Sequence, residues 1–260
     1  MQTIKEVITI ESLRQQIQAT AESVFSHPAL NNEFYTRWMS ETLTLNEVMI
    51  FAKNYLARTT NTSTMVALSF LGATEMSAKV EIVKNLYSEF GYGDQKKAHL
   101  VLLHGYFEDL LSRLAGRKVK ITEIERSPLL PSTEAFIVEQ RALYTFSENN
   151  PPTRILGTLL AQEWLAYSML TRLYEGARNY RQLYTSNDSF HEHCEYFYIH
   201  IGDAEKEHKI QAIEAAAQQC KSLEDLEELR HSFFRFLEIT TQYWNGIAVA
   251  MRATISNTVG

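Results

Sequence analysis

Helix start and stop signals recur along this chain at helix-length spacing, and they constrain its fold more than any other feature. Thr44-Leu45-Asn46-Glu47 reads as a capping box, in which the threonine and glutamate side chains each satisfy a free backbone N–H. It opens a long predicted helix through FAKNYLARTTNTSTMVALSFLG. Before it, one helix is predicted from about Glu11 to Phe25, stopping at His27-Pro28, and a short one from Leu30 to Met39. After it, Ser77 is expected to cap SAKVEIVKNLYSEF, which Gly91 ends. The turn GYGD leads into KKAHLVLLHGYFEDLLSRLA, closed by Gly116. Arg117 to Pro131 reads as irregular, and Thr133 to Glu148 as helix until Asn149-Asn150-Pro151-Pro152 breaks it. The strongly apolar RILGTLLAQEWLAYSMLTRLYEGA follows. One further long helix is predicted from Asp188 to about Gln219, across a histidine-rich region. Ser222-Leu223-Glu224-Asp225 then caps the last helix, whose Leu226, Leu229, Phe233, Leu237, Trp244, Ile247 and Met251 keep helical spacing.

With 10 glycines and 5 prolines in 260 residues, the chain lacks the turn formers that a large sheet protein needs. No repeat, low-complexity tract or linker divides it. The expectation is an all-α fold: a single-domain bundle of about eight helices over residues 1–260. Apolar residues make up 45% of the chain, enough for a sizeable core.

The net charge is −6 and no lysine- or arginine-rich stripe occurs, which argues against nucleic acid as a partner. MQTIKEVITIESLRQQ has no apolar signal core, and no apolar run reaches the ~18 residues of a membrane span. Cys194 and Cys220 cannot make a disulfide framework. The cytoplasm is the expected location.

Polar residues on apolar faces mark the candidate chemistry. Glu163 shares a stripe with Leu159, Leu160, Ala166, Tyr167 and Leu170, where a carboxylate must be paired, protonated or metal-bound. A salt bridge to another helix is the bland alternative. The segment EYFYIHIGDAEKEHKI gathers His200, Asp203, Glu205, Glu207 and His208. On a regular helix, at ~100° per residue, His200, Asp203 and Glu207 share a face. One π-bulge would instead align His200, Glu205 and His208. A solvated charged face accounts for some of these side chains but not for His200, which sits among Tyr196, Phe197, Ile199 and Ile201. In SEFGYGDQKKAHLVLLHGYF, Glu89 ends one helix and His99 lies in the next, on a face with Leu102, Leu103 and Tyr106. A satisfied core histidine is the competing reading of His99, and His104 with Glu108 form a rival pair one turn apart. Mixed Glu, Asp and His ligation suits iron or manganese and leaves positions open for oxygen. Helical bundles hold such di-metal sites between facing helices, and Glu205 and His208 supply the Glu-x-x-His step.

The order of these motifs is similar to that of a known group. His27-Pro28, Trp38 and TLNEVMIFAKNYLA resemble an opening HPF…L-E…F…Y pattern. SEFGYGDQKKAH resembles an E-x-G-x-G-x-x-x-x-H segment, Glu163 matches a lone glutamate of a middle helix, and YFYIHIGDAEKEH resembles the signature FFxxHxxxDxxH. These are motifs of the haem-oxygenase-like superfamily, and the chain looks most like its CADD-like proteins and haem-oxygenase-like non-haem di-iron oxidases. The resemblance implies metal roles for Glu89, His99, Glu163, His200 and His208 and for an acid between the last two. There this chain departs from the pattern. It has one residue more between the histidines, and the aligned acid is Glu205 rather than aspartate, with Asp203 as the alternative.

What the resemblance implies is an iron-dependent oxidoreductase, with two iron ions or a manganese–iron pair, that uses O₂ on a small organic substrate. A metal-free oxidase of the pyrroloquinoline quinone synthase type is the alternative enzyme, its histidines then serving as acid–base groups. A thiaminase-like hydrolase would need a reactive thiol, for which Cys194 is the candidate. A non-catalytic interaction module would need no iron. Haem would look to His27 as its ligand. A homodimer is the expectation by base rate.

Overall fold

The computed structural model describes residues 9–201 and 203–256, with the side chains of 203–208 and 255–256 left aside. The described residues are all-α, as expected, with no strand, but the helices are more finely divided. In chain order they are α1 (Ile10–Glu22), α2 (Glu33–Ser40), α3 (Leu45–Thr59), α4 (Thr62–Gly72), α5 (Met76–Glu89), α6 (His99–Ala115) and α7 (Ile121–Arg126). There follow α8 (Pro131–Tyr144), α9 (Pro152–Ala177), α10 (Asn187–His193), α11 (Glu195–Ile199), α12 (Asp203–Gln219) and α13 (Leu223–Ser256). Thirteen segments thus stand where about eight were expected.

Most of the predicted punctuation is present. The Thr44 hydroxyl accepts the Glu47 N–H, and Glu47 Oε2 accepts the Thr44 N–H at 2.9 Å. Gly116 closes α6 in the left-handed conformation, with φ at 61°. Ser222 caps α13: its hydroxyl accepts the Asp225 N–H at 3.1 Å. Ser77, by contrast, lies inside the first turn of α5, which has no side-chain cap.

Each added break has a physical cause. The long helix expected after Thr44 is interrupted at Thr60-Asn61, where the Thr60 hydroxyl donates to the Leu56 carbonyl at 2.7 Å and Asn61 becomes the cap residue of α4. α7 lies in the stretch expected to be irregular. Its first N–H is accepted by Glu108 Oε1 from α6, a cap supplied across the fold. Asn54 of α3 likewise caps α8, accepting the Leu130 N–H at 3.1 Å and the Thr133 hydroxyl at 2.7 Å.

α9 is the axis. Most of its residues are buried, and its broadest contact is with α13, followed by α12 and α2. Gly157 permits the approach of α13: a Cβ there would run into the Leu229 carbonyl oxygen and the Ser232 hydroxyl. A cluster of buried rings packs at one side of the axis. Phe34 stacks on Trp244 with centroids 4.5 Å apart, and Phe51 lies 5.0 Å from Phe34 and 5.3 Å from Phe107. Burying each such side chain contributes roughly 1.5–3 kcal/mol. None of the described helices is long and apolar enough to cross a membrane.

Glu47 serves twice, as the capping acid of α3 and as the partner of Arg37, whose Nη2 lies 2.8 Å from Glu47 Oε1. Burial pushes its carboxyl up, but the Thr44 and Arg37 hydrogen bonds outweigh burial and hold it below the ordinary glutamate value. A depressed carboxyl stabilises the fold above its unfolded value and loses that contribution as pH falls through the folded one. Glu47→Gln is therefore expected to cost about 1–3 kcal/mol at neutral pH. The gap to wild type should narrow below about pH 4.3. Urea denaturation at stepped pH measures it, and a gap constant across the acid range would contradict the assignment.

Candidate metal centre

The loop between α5 and α6 folds back so that Glu89, the last residue of α5, meets His99, the first of α6. Three successive residues there have positive φ: Gly91 at 63°, Tyr92 at 54° and Gly93 at 93°. A Cβ on Gly91 would stand 2.5 Å from the Lys97 carbonyl carbon and 2.7 Å from the Ala98 nitrogen. Only glycine lets the two ends of this loop approach so closely. The one non-glycine in the turn is held in place by the Tyr87 hydroxyl, which donates to the Tyr92 carbonyl at 2.6 Å.

His200 arrives from the opposite side. The single long helix expected from Asp188 to Gln219 is three helices. Cys194 ends α10, and α11 ends at Ile199. At that end the N–H groups of His200 and Ile201 bond to the carbonyls three residues back, at 3.1 Å each. These tightened bonds close the helix. Neither a regular helix nor a single π-bulge therefore carries His200 through to His208. The side chains of Asp203, Glu205 and His208 lie outside the described residues.

The side chains meet in the interior. His99 Nδ1 is 2.9 Å from His200 Nε2 and 3.4 Å from Glu89 Oε1. One ligand atom from each of the three lies within 4.8 Å of the others, the one such acid–imidazole group among the described residues. Both histidines are 7% exposed and Glu89 is half-buried. The second ring nitrogen of His200 decides its tautomer. Nδ1 lies 2.5 Å from the Tyr196 carbonyl, which can only accept, so Nδ1 carries the proton and the Nε2 lone pair points at His99. A metal-ligating histidine is oriented in this way, by an N–H to a carbonyl behind it. The donor set thus fits a divalent ion: two imidazole nitrogens and a carboxylate, converging and largely shielded from water.

Glu163 of α9 is 5% exposed and lines the same cavity. Four of the seven predicted ligands, Glu89, His99, Glu163 and His200, therefore surround one cavity. Residues that the sequence reading missed complete the wall. The Tyr55 and Tyr196 hydroxyls are 3.1 Å apart, and Gln162 accepts the Tyr144 hydroxyl at 3.0 Å. Burial, reinforced by the neighbouring Tyr55, raises Tyr196 well above the ordinary phenol value, and burial raises Tyr55 too. Both hydroxyls keep their protons at physiological pH.

The remaining candidates lie elsewhere. His104 and Glu108 do not join a third ligand among the described residues, and Glu108 is engaged in capping α7. His27 Nδ1 accepts the Ala29 N–H at 3.1 Å, and His27 is not among the described residues lining the cavity. Cys194 is fully buried, and burial pushes its thiol up to about 12, the reverse of what an attacking thiolate needs.

Residues 50–241 match a family described as iron-containing redox enzymes. The fold is similar to a CADD-like protein of unknown function from Nostoc punctiforme, at 15% identity and a TM-score of 0.71, covering 93% of this chain and 99% of that one. It is similar to a domain of unknown function with a heme oxygenase-like fold from Shewanella denitrificans, at 16% identity and a TM-score of 0.61, covering 96% and 97%. A TenA homolog from Pseudomonas syringae pv. tomato matches at 10% identity and a TM-score of 0.67, covering 95% and 98%. No curated protein matches. The all-α, haem-oxygenase-like architecture is thus the fold of this chain.

The loop that joins Glu89 to His99 makes a contrast between two glycines. Gly91→Ala meets both positive φ and backbone, and is expected to destabilise by more than ~1 kcal/mol. Gly105→Ala, in the open on α6, should be neutral or stabilise by ~0.4–1 kcal/mol. Thermal denaturation of the two variants checks this, and equal shifts would contradict it.

Proposed function

Since this chain belongs to the family of iron-containing redox enzymes, we propose that it is a non-haem iron oxidase or oxygenase acting with O₂ on a small organic molecule held in the cavity. The observation that carries the reading is the convergence of Glu89, His99 and His200. Two histidines and one carboxylate form the ligand type of non-haem iron(II) oxygenases, with coordination positions left open. In this reading Glu163, His208 and an acid at Asp203 or Glu205 serve a second ion, iron or manganese. Its proposed place of action is the cytoplasm.

Bound iron would supply the one-electron chemistry that makes O₂ reactive. The chain's own residues set the conditions for it. His200 presents Nε2 as a lone pair because its Nδ1 proton is held by the Tyr196 carbonyl. On His99 it is Nδ1, the nitrogen that faces His200, that would take the ion, with its ring in the tautomer that leaves Nδ1 a lone pair. Of the two protons on the neutral Tyr55 and Tyr196 hydroxyls, one joins the pair and the other can be donated to a bound molecule. Ala166, Met169 and Leu170 give the same wall an apolar side that limits water.

The test is anaerobic loading with ferrous iron, removal of excess metal, and metal analysis of wild type beside His99→Ala and His200→Ala. Wild type is expected to retain about two irons per chain, the variants markedly less. Adding O₂ should then give an optical transient and oxygen uptake in wild type alone. Wild-type iron no higher than that of the variants would overturn the reading and favour a metal-free enzyme.

A further inference from the structure

Arg58 stands in the wall of the same cavity, in the middle of an aromatic cluster, and the proposed iron chemistry does not use it. It is 7% exposed. Its Nε has no hydrogen-bond partner, and its Nη1 reaches only the Met169 sulfur, at 3.3 Å. No carboxylate among the described residues forms an ion pair with it. Its guanidinium carbon lies 5.2 Å from the Phe136 ring centroid, 5.5 Å from Tyr243 and 6.0 Å from Tyr55. Three rings lessen the cost of burying a cation. They leave Nε without an acceptor, and a buried charge without an opposite partner is strongly unfavourable.

We infer that Arg58 is the anchor for a carboxylate carried by the substrate. A guanidinium offers a planar fork of N–H donors that matches a carboxylate's two oxygens, and the aromatic cage holds the fork in one orientation. Charge selects among anions. Arg58 is the one lysine or arginine among the described residues that line the cavity, while Glu89 and Glu163 add negative charge to the same wall. That negative charge penalises a phosphate dianion more than a carboxylate monoanion. Position adds direction. Tyr55, one turn before Arg58, bonds to Tyr196, and the Tyr196 ring lies 4.9 Å from the His200 ring. A molecule held by its carboxylate at Arg58 would extend along this wall toward the imidazoles. The assignment of the anion as substrate rests on the oxidase reading, but anion binding itself does not require iron.

The experiment is calorimetric titration of metal-free protein with benzoate and octanoate, each beside its neutral amide. Wild type, Arg58→Met and Arg58→Lys are compared. Wild type should bind at least one carboxylate about ten-fold more tightly than its amide, the size expected of one charge-assisted hydrogen-bonded pair. Arg58→Met should abolish that preference with amide binding unchanged, and should melt no lower than wild type because an unpaired cation has been removed. Arg58→Lys, which keeps the charge without the fork, should retain part of the preference. Absence of any preference in wild type would overturn the inference. So would a preference that survives in Arg58→Met, or a lowered melting temperature with carboxylate binding intact, which would mark a purely structural arginine. Loading the same three proteins anaerobically with ferrous iron and analysing the metal retained separates the two readings. Carboxylate selectivity without iron retention leaves the anion site standing and removes the oxidase, and iron retention without Arg58-dependent selectivity does the reverse.

Discussion

Two buried imidazoles, the buried Glu163 and the half-buried Glu89 around one cavity cannot be left to themselves in a largely apolar interior. Removing such groups from water is costly unless protons, hydrogen bonds or a cation compensate. His99 and His200 partly answer by hydrogen bonding to one another, with Nδ1 and Nε2 at 2.9 Å. Glu89 closes on the same pair at 3.4 Å. A divalent ion would replace that mutual hydrogen bond by drawing on the same lone pairs. The rest of the structure can be read as what holds these groups in place against that cost.

Three kinds of support are visible. The first is local: the tight loop between α5 and α6, in which Gly91 lets the chain return on itself, and the Tyr196 carbonyl that fixes the His200 tautomer. The second is the α9 axis, which carries Glu163 and Gln162 and is clamped against α13 where Gly157 lets the backbones approach. The third is the aromatic cluster, from Phe34 and Trp244 through Phe51 to Tyr55, which makes one flank of the cavity rigid. Arg58 belongs to both the cluster and the cavity, so the flank that stiffens the fold also carries the cavity's one described cation.

Much of this was legible in the sequence because helical spacing and capping are local. The capping box at Thr44, the cap at Ser222 and the left-handed Gly116 depend on side chains within a few residues of each other. His99, Glu163 and His200 stood out because each is polar on an otherwise apolar face, and Glu89 because the segment joining it to His99 resembles a known motif. What could not be read was imposed from far along the chain. α7 is capped by Glu108 and α8 by Asn54, and neither acceptor lies next to the helix it caps in sequence. The breaks at Thr60-Asn61 and His200 reflect side-chain and 3₁₀ bonds that compete with the regular ladder. Arg58 was missed although a signal existed: it follows Phe51 and Tyr55 at steps of seven and three residues, and so shares their buried face.

In the proposed function Glu89, His99 and His200 grip one iron ion. Crystals grown without oxygen in the presence of ferrous iron, with anomalous diffraction collected on both sides of the iron absorption edge, test it most directly. The predicted result is an anomalous peak bounded by Glu89 Oε1, His99 Nδ1 and His200 Nε2, with the two histidine nitrogens drawn apart to admit the ion. Iron located elsewhere, or no iron with the two imidazoles still hydrogen-bonded to each other, would contradict it.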